Sequence, residues 1–293
     1  MQQAQDKFVI IRDEFVPMIE KFQEMFSFVK GWIIYSESGI IPKTTLPNAQ
    51  NYDDILSKEY AEEFPALTED RRATLFYTSG TTGMPKGVSF SHRQIVLHAM
   101  VLAMNLGDEP GNIKSNDVMM PLVPMFHVHS WGMPQLILLK GMKYVLPGKY
   151  DFEKIPVIMS QEKVTVSAMV PSILNMILAN PRSKELIGPL HLRTIIGGAA
   201  LPEGLYLRAK EINIMSMAGY GMSETAPVLT LSSYNYEVMK LPEKEREAFN
   251  IKTGFPVPFV EIRIIGKNGK DVEKDGKSIG EIVIKAPWAT MGY

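Results

Sequence analysis

The sequence predicts an α/β fold in which helices cover a mostly parallel sheet, followed by a small antiparallel β unit. The main observation is that short apolar runs alternate with helical patterns between residues 151 and 217. Strands that alternate with helices in this way imply parallel strands joined by helical crossovers. A second observation is a change of character after Thr225, where residues 260–265 and 280–285 have the pattern of two antiparallel strands.

Each predicted element rests on a local pattern. The predicted strands are 8–11, 73–77, 87–90, 117–123, 143–147, 164–170, 192–196, 213–217, 260–265 and 280–285, the last two with a turn at Asn268-Gly269. The predicted helices are 15–26, 152–162, 171–179, 202–212, 237–248 and a helix between Ser91 and Gly107. Ser91 and Gln94 have the spacing of a capping box, which marks the start of that last helix.

Composition excludes several classes of protein. The 293 residues are 45% hydrophobic and 22% charged with a formal net charge of −1, which is typical of an ordinary globular domain and gives no basic surface for nucleic acid. The chain has no cysteine, so disulfides and a catalytic thiol are excluded. No apolar run reaches the roughly 18 residues that a membrane-spanning helix needs. We expect an α/β part at 1–225, a linker with a helix at 226–250 and a partial β-barrel-like part at 251–293.

The most informative segment is 77–87, Tyr-Thr-Ser-Gly-Thr-Thr-Gly-Met-Pro-Lys-Gly, between two predicted strands. Glycines let backbone N–H groups approach an anion, hydroxyls donate to its oxygens, and Lys86 adds a charge, so the loop is expected to wrap a polyphosphate. The candidate phosphate-binding residues in it are Thr78, Ser79, Gly80, Thr81, Thr82, Gly83 and Lys86. A P-loop NTPase would need a Gly-Lys-Ser/Thr sequence that opens directly into a helix, whereas here Pro85 precedes Lys86 and a strand follows. A polar surface turn is the alternative for this segment taken alone.

A second segment, Gly-Tyr-Gly-Met-Ser-Glu-Thr at 219–225, follows the apolar run 212–217, which is expected to end in a tight turn. Open α/β sheets bind ligands beyond the carboxyl ends of their strands. Tyr220 offers a flat surface for adenine, and Ser223 and Glu224 offer a hydroxyl and a carboxylate to the phosphates. A carboxylate also suits Mg²⁺, which prefers oxygen ligands. Taken alone, Tyr220 is equally explained as a half-buried aromatic residue at a strand end.

Two more segments complete the pattern. Residues 124–131 read Pro-Met-Phe-His-Val-His-Ser-Trp. Their two histidines do not predict a metal site, because no cysteine or nearby carboxylate would complete one. Residues 195–202 read Ile-Ile-Gly-Gly-Ala-Ala-Leu-Pro, a strand that runs into small residues before Pro202 opens a helix. Small residues at this point would let the backbone lie against a purine.

Together these segments resemble, in type and order, the motifs of the adenylate-forming superfamily, which comprises acyl-CoA synthetases, luciferases and the adenylation domains of peptide synthetases. The resemblance runs from residue 8 to Tyr293 and implies that the α/β part belongs to the large N-terminal domain of such an enzyme. It implies that the phosphate loop covers the β- and γ-phosphates of ATP, that Ser223 contacts the α-phosphate and that Thr78 and Glu224 bind Mg²⁺. The family has threonine where this chain has Ser223, and the hydroxyl is kept. The implied adenine-binding residues are Gly198, Ala199, Ala218, Gly219, Tyr220 and Gly221.

The resemblance also assigns the acyl side of the site. His127 is implied to lie beside the reacting carboxylate and to act in catalysis together with Lys86 and Glu224. His129 is expected to be a wall of the pocket or to stand behind it. Trp131 has the spacing of a tryptophan at the mouth of the acyl tunnel in long-chain fatty acyl-CoA synthetases, although simple core packing would explain it equally well.

The resemblance implies an enzyme that converts a carboxylic acid, with a fatty acid expected, and Mg·ATP into acyl-AMP and pyrophosphate. The intact enzyme would then transfer the acyl group to CoA. The small C-terminal domain with the catalytic lysine is expected to be absent, so this chain alone is expected to turn over poorly or not at all. A cytoplasmic location follows, with loose membrane association and a homodimer of the intact enzyme left open.

Three alternatives remain open at this level. An acyl-AMP ligase or a peptide-synthetase adenylation domain would share the same motifs. A non-catalytic nucleotide- or acyl-binding fragment would keep the site without the reaction. A P-loop ATPase would form ADP and phosphate instead of AMP and pyrophosphate.

Overall fold

The computed structural model describes residues 3–56, 63–78 and 83–293. These residues fall into two compact units, Met1–Leu67 and Thr68–Tyr293. The part boundaries expected near residues 225 and 250 stay a prediction.

The strands and helices are as follows. The strands are β1 (Phe8–Arg12), β2 (Gly31–Tyr35), β3 (Ala49–Asn51), β4 (Arg72–Thr78), β5 (Lys86–Ser91), β6 (Val118–Met119), β7 (Lys143–Tyr144), β8 (Val166–Met169), β9 (Arg193–Ile196), β10 (Met215–Gly221), β11 (Val228–Leu231), β12 (Phe255–Pro256), β13 (Glu261–Ile265) and β14 (Glu281–Lys285). The helices are α1 (Val16–Glu20), α2 (Tyr52–Ile55), α3 (His92–Asn105), α4 (Val128–Trp131), α5 (Met133–Lys140), α6 (Ile155–Glu162), α7 (Pro171–Ala179), α8 (Ser183–Ile187), α9 (Glu203–Lys210), α10 (Tyr236–Met239) and α11 (Glu243–Glu247). Short 3-10 turns lie at Asp13–Phe15, Gln23–Phe26, Gly188–Leu190 and Ser223–Thr225.

The first unit is built on a three-stranded parallel sheet in the order β1-β2-β3. The continuous helix predicted for residues 15–26 is wrong, because α1 is flanked by two 3-10 turns. The backbone of Phe22 leaves the helical region at φ −121° and ψ 20°. Phe26 then packs edge-on against the buried Trp32, with ring centroids 5.8 Å apart.

The second unit is built on a seven-stranded sheet in the order β12-β11-β10-β9-β8-β6-β7. Strands β6 to β10 pair in parallel, and β11 and β12 add two antiparallel strands at one edge. The predicted α/β class with a mostly parallel sheet is therefore confirmed.

Helices cover both faces of this sheet. The adjacent residues Ile195 and Ile196 of β9 belong to two different buried clusters, because successive side chains of a strand point to opposite faces. One cluster includes Leu102 of α3 and Leu136 of α5, and the other includes Leu174 of α7 together with residues of α6 and α9. This three-layer arrangement leaves the carboxyl ends of the parallel strands at one edge.

Several predicted elements have different bounds. Strands predicted at 117–123 and 143–147 are only two residues long. Beyond β6 the chain stays beside β8, where Met120 N and Leu122 N donate to the carbonyls of Val166 and Ala168 at 3.0 and 2.8 Å, without forming a regular ladder. The helix predicted at 237–248 is two short helices, because Pro242 begins a new one as the N-cap residue of α11.

The β13–β14 pair is antiparallel, as predicted from the sequence. The Asn268-Gly269 turn lies near the start of its connection, where Gly269 N donates to the Gly266 carbonyl at 2.9 Å. Among the described ranges, no helix combines the length and apolar character required to cross a membrane.

Candidate nucleotide and acyl site

The predicted phosphate loop is carried by an antiparallel hairpin formed by β4 and β5. Thr78 pairs with Lys86 and Tyr77 pairs with Gly87, so Thr78 and Lys86 stand opposite each other at the base of the loop. The two flanking strands are as predicted from the sequence. Four of the candidate phosphate-binding residues, Ser79, Gly80, Thr81 and Thr82, lie outside the described residues.

A cavity of about 80 Å³ lies at the carboxyl edge of the parallel sheet. In the register of β8, β9 and β10, Met169 pairs with Ile196 and Ile196 with Ala218, so the residues that follow these strands meet at one place. The cavity is lined by His127, Val128, Trp131, Ile195, Ile196, Gly197, Gly198, Gly219, Tyr220, Gly221, Met222, Ser223, Pro227, Val228 and Leu231. It therefore joins predicted acyl, adenine and α-phosphate residues from three separate segments.

Strand β10 continues to Gly221, which corrects the predicted strand end at 217. Gly219 and Tyr220 pair with Leu231 and Thr230 of β11, and this pairing extends the strand. A Cβ on Gly221 would lie 2.0 Å from the Pro227 carbonyl oxygen. Only glycine fits at that point, and the close approach sets Tyr220 beside the cavity.

The segment with the two histidines forms a left-handed turn. Val128, His129, Ser130 and Trp131 have φ values of 49°, 52°, 52° and 60°, and Gly132 follows at 76°. The left-handed helical conformation costs an L-residue about 1–2 kcal/mol, so four in succession require strong local support. Strained backbone of this kind often occurs at functional sites.

Buried contacts hold the turn in place. Ser130 Oγ donates to the Val123 carbonyl oxygen at 2.7 Å, and both groups are buried. Ser130 N and Gly132 N donate to the carbonyls of His127 and His129 at 3.1 and 3.2 Å. Gly132 is required here, because a Cβ would lie 2.8 Å from Cε1 of His98. The turn places His127 and Trp131 on the wall of one cavity.

His98 lies behind Val228, which lines the cavity. It is fully enclosed, and its Nε2 accepts the N–H of Val228 at 3.2 Å. Burial, with a smaller contribution from the nearby His129, lowers the pKa of His98 to about 3. Trp288 packs edge-on against His98, with ring centroids 5.7 Å apart, and donates its indole N–H to the Val228 carbonyl at 3.3 Å. Neither residue is predicted as part of the site from the sequence, since neither lies in a motif.

Lys86 and Glu224, which are distant in sequence, contact the same side chain. Tyr293 donates its hydroxyl to Glu224 Oε1 at 2.8 Å, and Lys86 Nζ lies 4.4 Å from the centroid of the Tyr293 ring. The hydrogen bond to Glu224 raises the pKa of Tyr293. Thr290 N also donates to the Glu224 carbonyl, at 2.8 Å. The structure thus brings the hairpin and the Ser223–Thr225 turn together, through a tyrosine that the sequence analysis did not identify.

A larger cleft of about 560 Å³ lies away from these motifs, beside residues 213–215 at the amino end of β10. Four of its polar side chains form two pairs, Lys210 with Glu247 at 2.6 Å and Asn250 with Tyr234 at 2.8 Å. None of the site residues expected from the sequence lines it.

Comparison with known families decides what kind of protein carries this site. The model of the AMP-binding enzyme family matches residues 1–293, the whole chain. The chain belongs to the AMP-binding enzyme family. A long-chain-fatty-acid–CoA ligase of Thermus thermophilus is 34% identical over 295 residues, covering 100% of this chain and 52% of the relative. A medium-chain-fatty-acid–CoA ligase of Ectopseudomonas oleovorans is 29% identical over 293 residues, covering 99% of this chain and 53% of that protein. The chain spans about half the length of these curated relatives.

Solved structures of two CoA ligases have the same fold. An anthranilate CoA ligase in complex with anthranoyl-AMP superposes with a TM-score of 0.77 at 19% identity, over 98% of this chain and 51% of that one. A long-chain-fatty-acid-CoA ligase from Archaeoglobus fulgidus superposes with a TM-score of 0.75 at 22% identity, over 99% of this chain and 55% of that one. The resemblance inferred from the motifs is confirmed.

In this member of the AMP-binding family, the predicted site residues occupy three places. The cavity wall contains His127, Trp131, Gly198, Gly219, Tyr220, Gly221 and Ser223. Ala218 is buried within β10, and Ala199 is exposed and does not line the cavity. Thr78 and Lys86 lie on the hairpin, Gly83 lies between its two strands, and Glu224 lies on the Ser223–Thr225 turn; none of the four lines the cavity. The roles given to these residues stay predictions.

Proposed function

We propose that this AMP-binding protein activates a carboxylic acid with ATP, forming acyl-AMP and pyrophosphate, and that the complete protein transfers the acyl group to CoA. The observation that carries the proposal is that His127, Gly198 and Tyr220 line one cavity at the carboxyl edge of the sheet. That edge is where open α/β sheets bind nucleotides. The names of the two relatives, both acid–CoA ligases, support the same reaction class.

The nucleotide is proposed to lie across the ends of β9 and β10. Adenine would lie between the Gly198-Ala199 backbone and the ring of Tyr220, with Ala218, Gly219 and Gly221 leaving the space that a flat purine needs. The hydroxyl of Ser223 would contact the α-phosphate. The hairpin loop from Thr78 to Lys86, which includes Gly83, would enclose the β- and γ-phosphates with N–H groups, hydroxyls and one ammonium.

The proposed first step needs no protein nucleophile. A carboxylate oxygen attacks the α-phosphorus, the bond to the oxygen bridging the α- and β-phosphorus breaks, and pyrophosphate leaves. His127 would donate a hydrogen bond to the substrate carboxylate or to charge that develops at the α-phosphate, and Lys86 would neutralise charge on the phosphates. The remaining contribution of the site is to hold the two reactants in line.

The side chains present fit a magnesium ion that arrives with ATP. Thr78 and Glu224 offer a hydroxyl and a carboxylate, which are the hard oxygen ligands that Mg²⁺ prefers. Within residues 3–56, 63–78 and 83–293, no three His, Cys, Asp or Glu side chains form a metal-binding group. Phosphate and water would therefore supply the other ligands. The ion, when bound, would neutralise charge on the phosphates.

A fatty acid is the proposed substrate, and Trp131 would stand where the acyl chain enters. The cavity around it is lined largely by apolar side chains and glycines, including Val128, Ile195 and Leu231. The volume of about 80 Å³ is far below the roughly 300–1,000 Å³ of ordinary ligand sites. Trp131 is the largest side chain in the lining, so binding would require the indole to move.

A thermal-shift series with non-hydrolysable acyl-adenylate analogues of increasing chain length tests the proposal. Binding requires neither CoA nor turnover. At about 100-fold above Kd, a ligand adds about 2.7 kcal/mol and raises the melting temperature by several degrees. We expect a shift that grows with acyl length, that disappears in Tyr220→Ala and that persists in Tyr236→Ala, a matched control at an exposed tyrosine on α10.

Other outcomes would contradict parts of the proposal. A preference for amino-acyl or aryl adenylates would replace the fatty-acid assignment. Conversion of ATP to ADP and phosphate would indicate another class of enzyme. No shift with any analogue, from a folded chain, would reject the site itself.

A further inference from the structure

His129, which has no role in the proposed reaction, contacts the phosphate-loop hairpin directly. Its Nε2 lies 2.6 Å from Thr74 Oγ1. Its ring packs edge-on against Phe76 and Phe90, with centroids 5.1 and 6.5 Å away and interplanar angles of 81° and 74°. Thr74 and Phe76 lie on one face of β4, since side chains of a strand alternate. One side chain of the left-handed turn is thus bound to both strands of the hairpin.

We propose that His129 is a positioning residue whose hydrogen bond to Thr74 fixes His127 relative to the β4–β5 hairpin. This inference deepens the proposed function and rests on it, since His127 is given its role there.

Hydrogen-bonded backbone lies at both ends of the connection from Thr74 to His127. Thr74 is on the strand that ends at Thr78, and the register of β4 with β5 places Thr78 opposite Lys86. His129 is two residues after His127, inside the turn closed by the hydrogen bond from Ser130 N to the His127 carbonyl. Any displacement of His129 from Thr74 is therefore passed to His127 through a closed ring of backbone.

The surroundings of the hydrogen bond between His129 and Thr74 favour it in the folded chain. His129 and Thr74 are both partly buried, so water competes weakly for the bond. Burial lowers the pKa of His129, so the ring is neutral at physiological pH. A neutral imidazole has one donor and one acceptor nitrogen, and a threonine hydroxyl can take the complementary role.

A role in packing alone makes a different prediction. If His129 only filled space between the turn and the hairpin, its loss would lower the stability of the fold and leave the position of His127 and the relative affinities of ligands unchanged. The test therefore needs readouts that report on His127 itself.

Two variants remove the hydrogen bond with little change in shape. Thr74→Val replaces the hydroxyl with a methyl group, and His129→Phe keeps a ring against Phe76 and Phe90. Thr74→Ser keeps the hydroxyl and serves as the matched control. Thr74→Val lies on an existing strand and keeps the test decisive if His129→Phe does not fold.

The first readout is ligand-free NMR of the chain with labelled histidines, of which there are five. We expect Thr74→Val and His129→Phe to shift the imidazole signals of His127 and to leave those of His92 and His191 in place. Thr74→Ser should match the wild type. An unchanged His127 signal in Thr74→Val would overturn the proposal.

The second readout is the affinity for a non-hydrolysable fatty acyl-adenylate analogue compared with that for AMP. Each single variant should lower the affinity for the analogue about tenfold, which is the upper range for one lost hydrogen bond. The affinity for AMP should change by less than about twofold. The double variant should be no weaker than either single one, because both remove the same bond. Equal losses for both ligands, or losses that add, would overturn the proposal. If the wild type binds no analogue, the proposed function fails, while the His127 signal still decides the positioning role.

Discussion

The indole of Trp131 packs so closely on Gly197 that a Cβ at residue 197 would lie 3.1 Å from Trp131 Cη2. Gly197 directly follows β9, and Trp131 is the last residue of the left-handed turn. This contact joins the 124–131 segment to the 195–202 segment at the cavity that both line, and the indole takes up space there. Movement of Trp131 is the step that would make the site accessible.

Replacement of Trp131 by alanine should open the cavity and weaken the fold. Loss of a large buried aromatic side chain costs about 3–5 kcal/mol of unfolding free energy. A fatty acyl-adenylate analogue should also associate faster, because no indole has to move first. Stopped-flow binding and urea denaturation measure the two effects, with Trp131→Phe expected to fall between alanine and the wild type. An unchanged association rate would show that Trp131 does not limit access.

Gly221→Ala should destabilise the chain by more than about 3 kcal/mol, beyond the usual cost of overpacking, because the new methyl group would meet the backbone of Pro227. Gly204→Ala is the matched control. Gly204 lies in α9 with nothing within 4 Å of a new Cβ, and alanine there should be neutral or stabilising by up to about 1 kcal/mol. Urea denaturation of both variants tests this difference, and similar stabilities would contradict the geometry at β10.

The buried His98 should make stability fall as the pH falls. Its pKa of about 3 in the folded chain is below the roughly 6.5 of an unfolded histidine. The unfolded chain therefore binds a proton first, so the contribution of His98 is complete above pH ~6.5 and is lost towards pH ~3, by up to about 1.4 kcal/mol per pH unit.

His98→Gln keeps a hydrogen-bond acceptor for Val228 N–H and removes this titration. Denaturant midpoints between pH 7.5 and 5 should depend less steeply on pH in the variant than in the wild type. His129, whose pKa is also lowered by burial, contributes in the same direction in both proteins. An identical pH dependence would mean that His98 does not titrate as its burial requires.

Removal of one partner of the ion pair between Arg193 and Asp117 should destabilise the sheet strongly. Arg193 also donates to the Gly111 and Asn112 carbonyls, and Asp117 accepts from Thr165 Oγ1 at 2.7 Å. Arg193→Met would leave the mostly buried carboxylate of Asp117 without its ion-pair partner. We expect this to lower the free energy of unfolding by about 3–5 kcal/mol.

An exposed pair provides the comparison for Arg193. Lys143 and Glu162 lie 2.7 Å apart with both side chains about half exposed, and Lys143→Met should cost less than about 1 kcal/mol. Thermal or urea unfolding distinguishes the two variants. Equal costs would show that the partial burial of the Arg193–Asp117 pair has no energetic consequence.

Short sequence patterns correctly predicted several helices and strands. The strand before Val170, the helix that Pro171 opens and the capping box at Ser91 are all present. These features arise from the burial of alternating or periodic apolar residues and from one cap, which short stretches of sequence encode. The family resemblance likewise implied one site for Tyr220 and His127, and both line one cavity.

The remaining features depend on contacts that no local pattern contains. Glycine is disfavoured in strands. Strand β10 extends through Gly219 and Gly221 because β11 pairs with it. A left-handed turn through Val128 and Trp131 runs against the preference of both residues and is held by Ser130 and Gly132. The contact of Tyr293 with Glu224 joins residues 69 positions apart.

The most direct test of the account is calorimetric competition for a fatty acyl-adenylate analogue. The central claim is that one cavity takes the nucleotide and the acyl chain together, between Tyr220 and Trp131. We predict that one analogue binds per chain, and that Mg·ATP and the free fatty acid each displace it. Binding that only one of them displaces, or a stoichiometry of two, would contradict a single shared cavity.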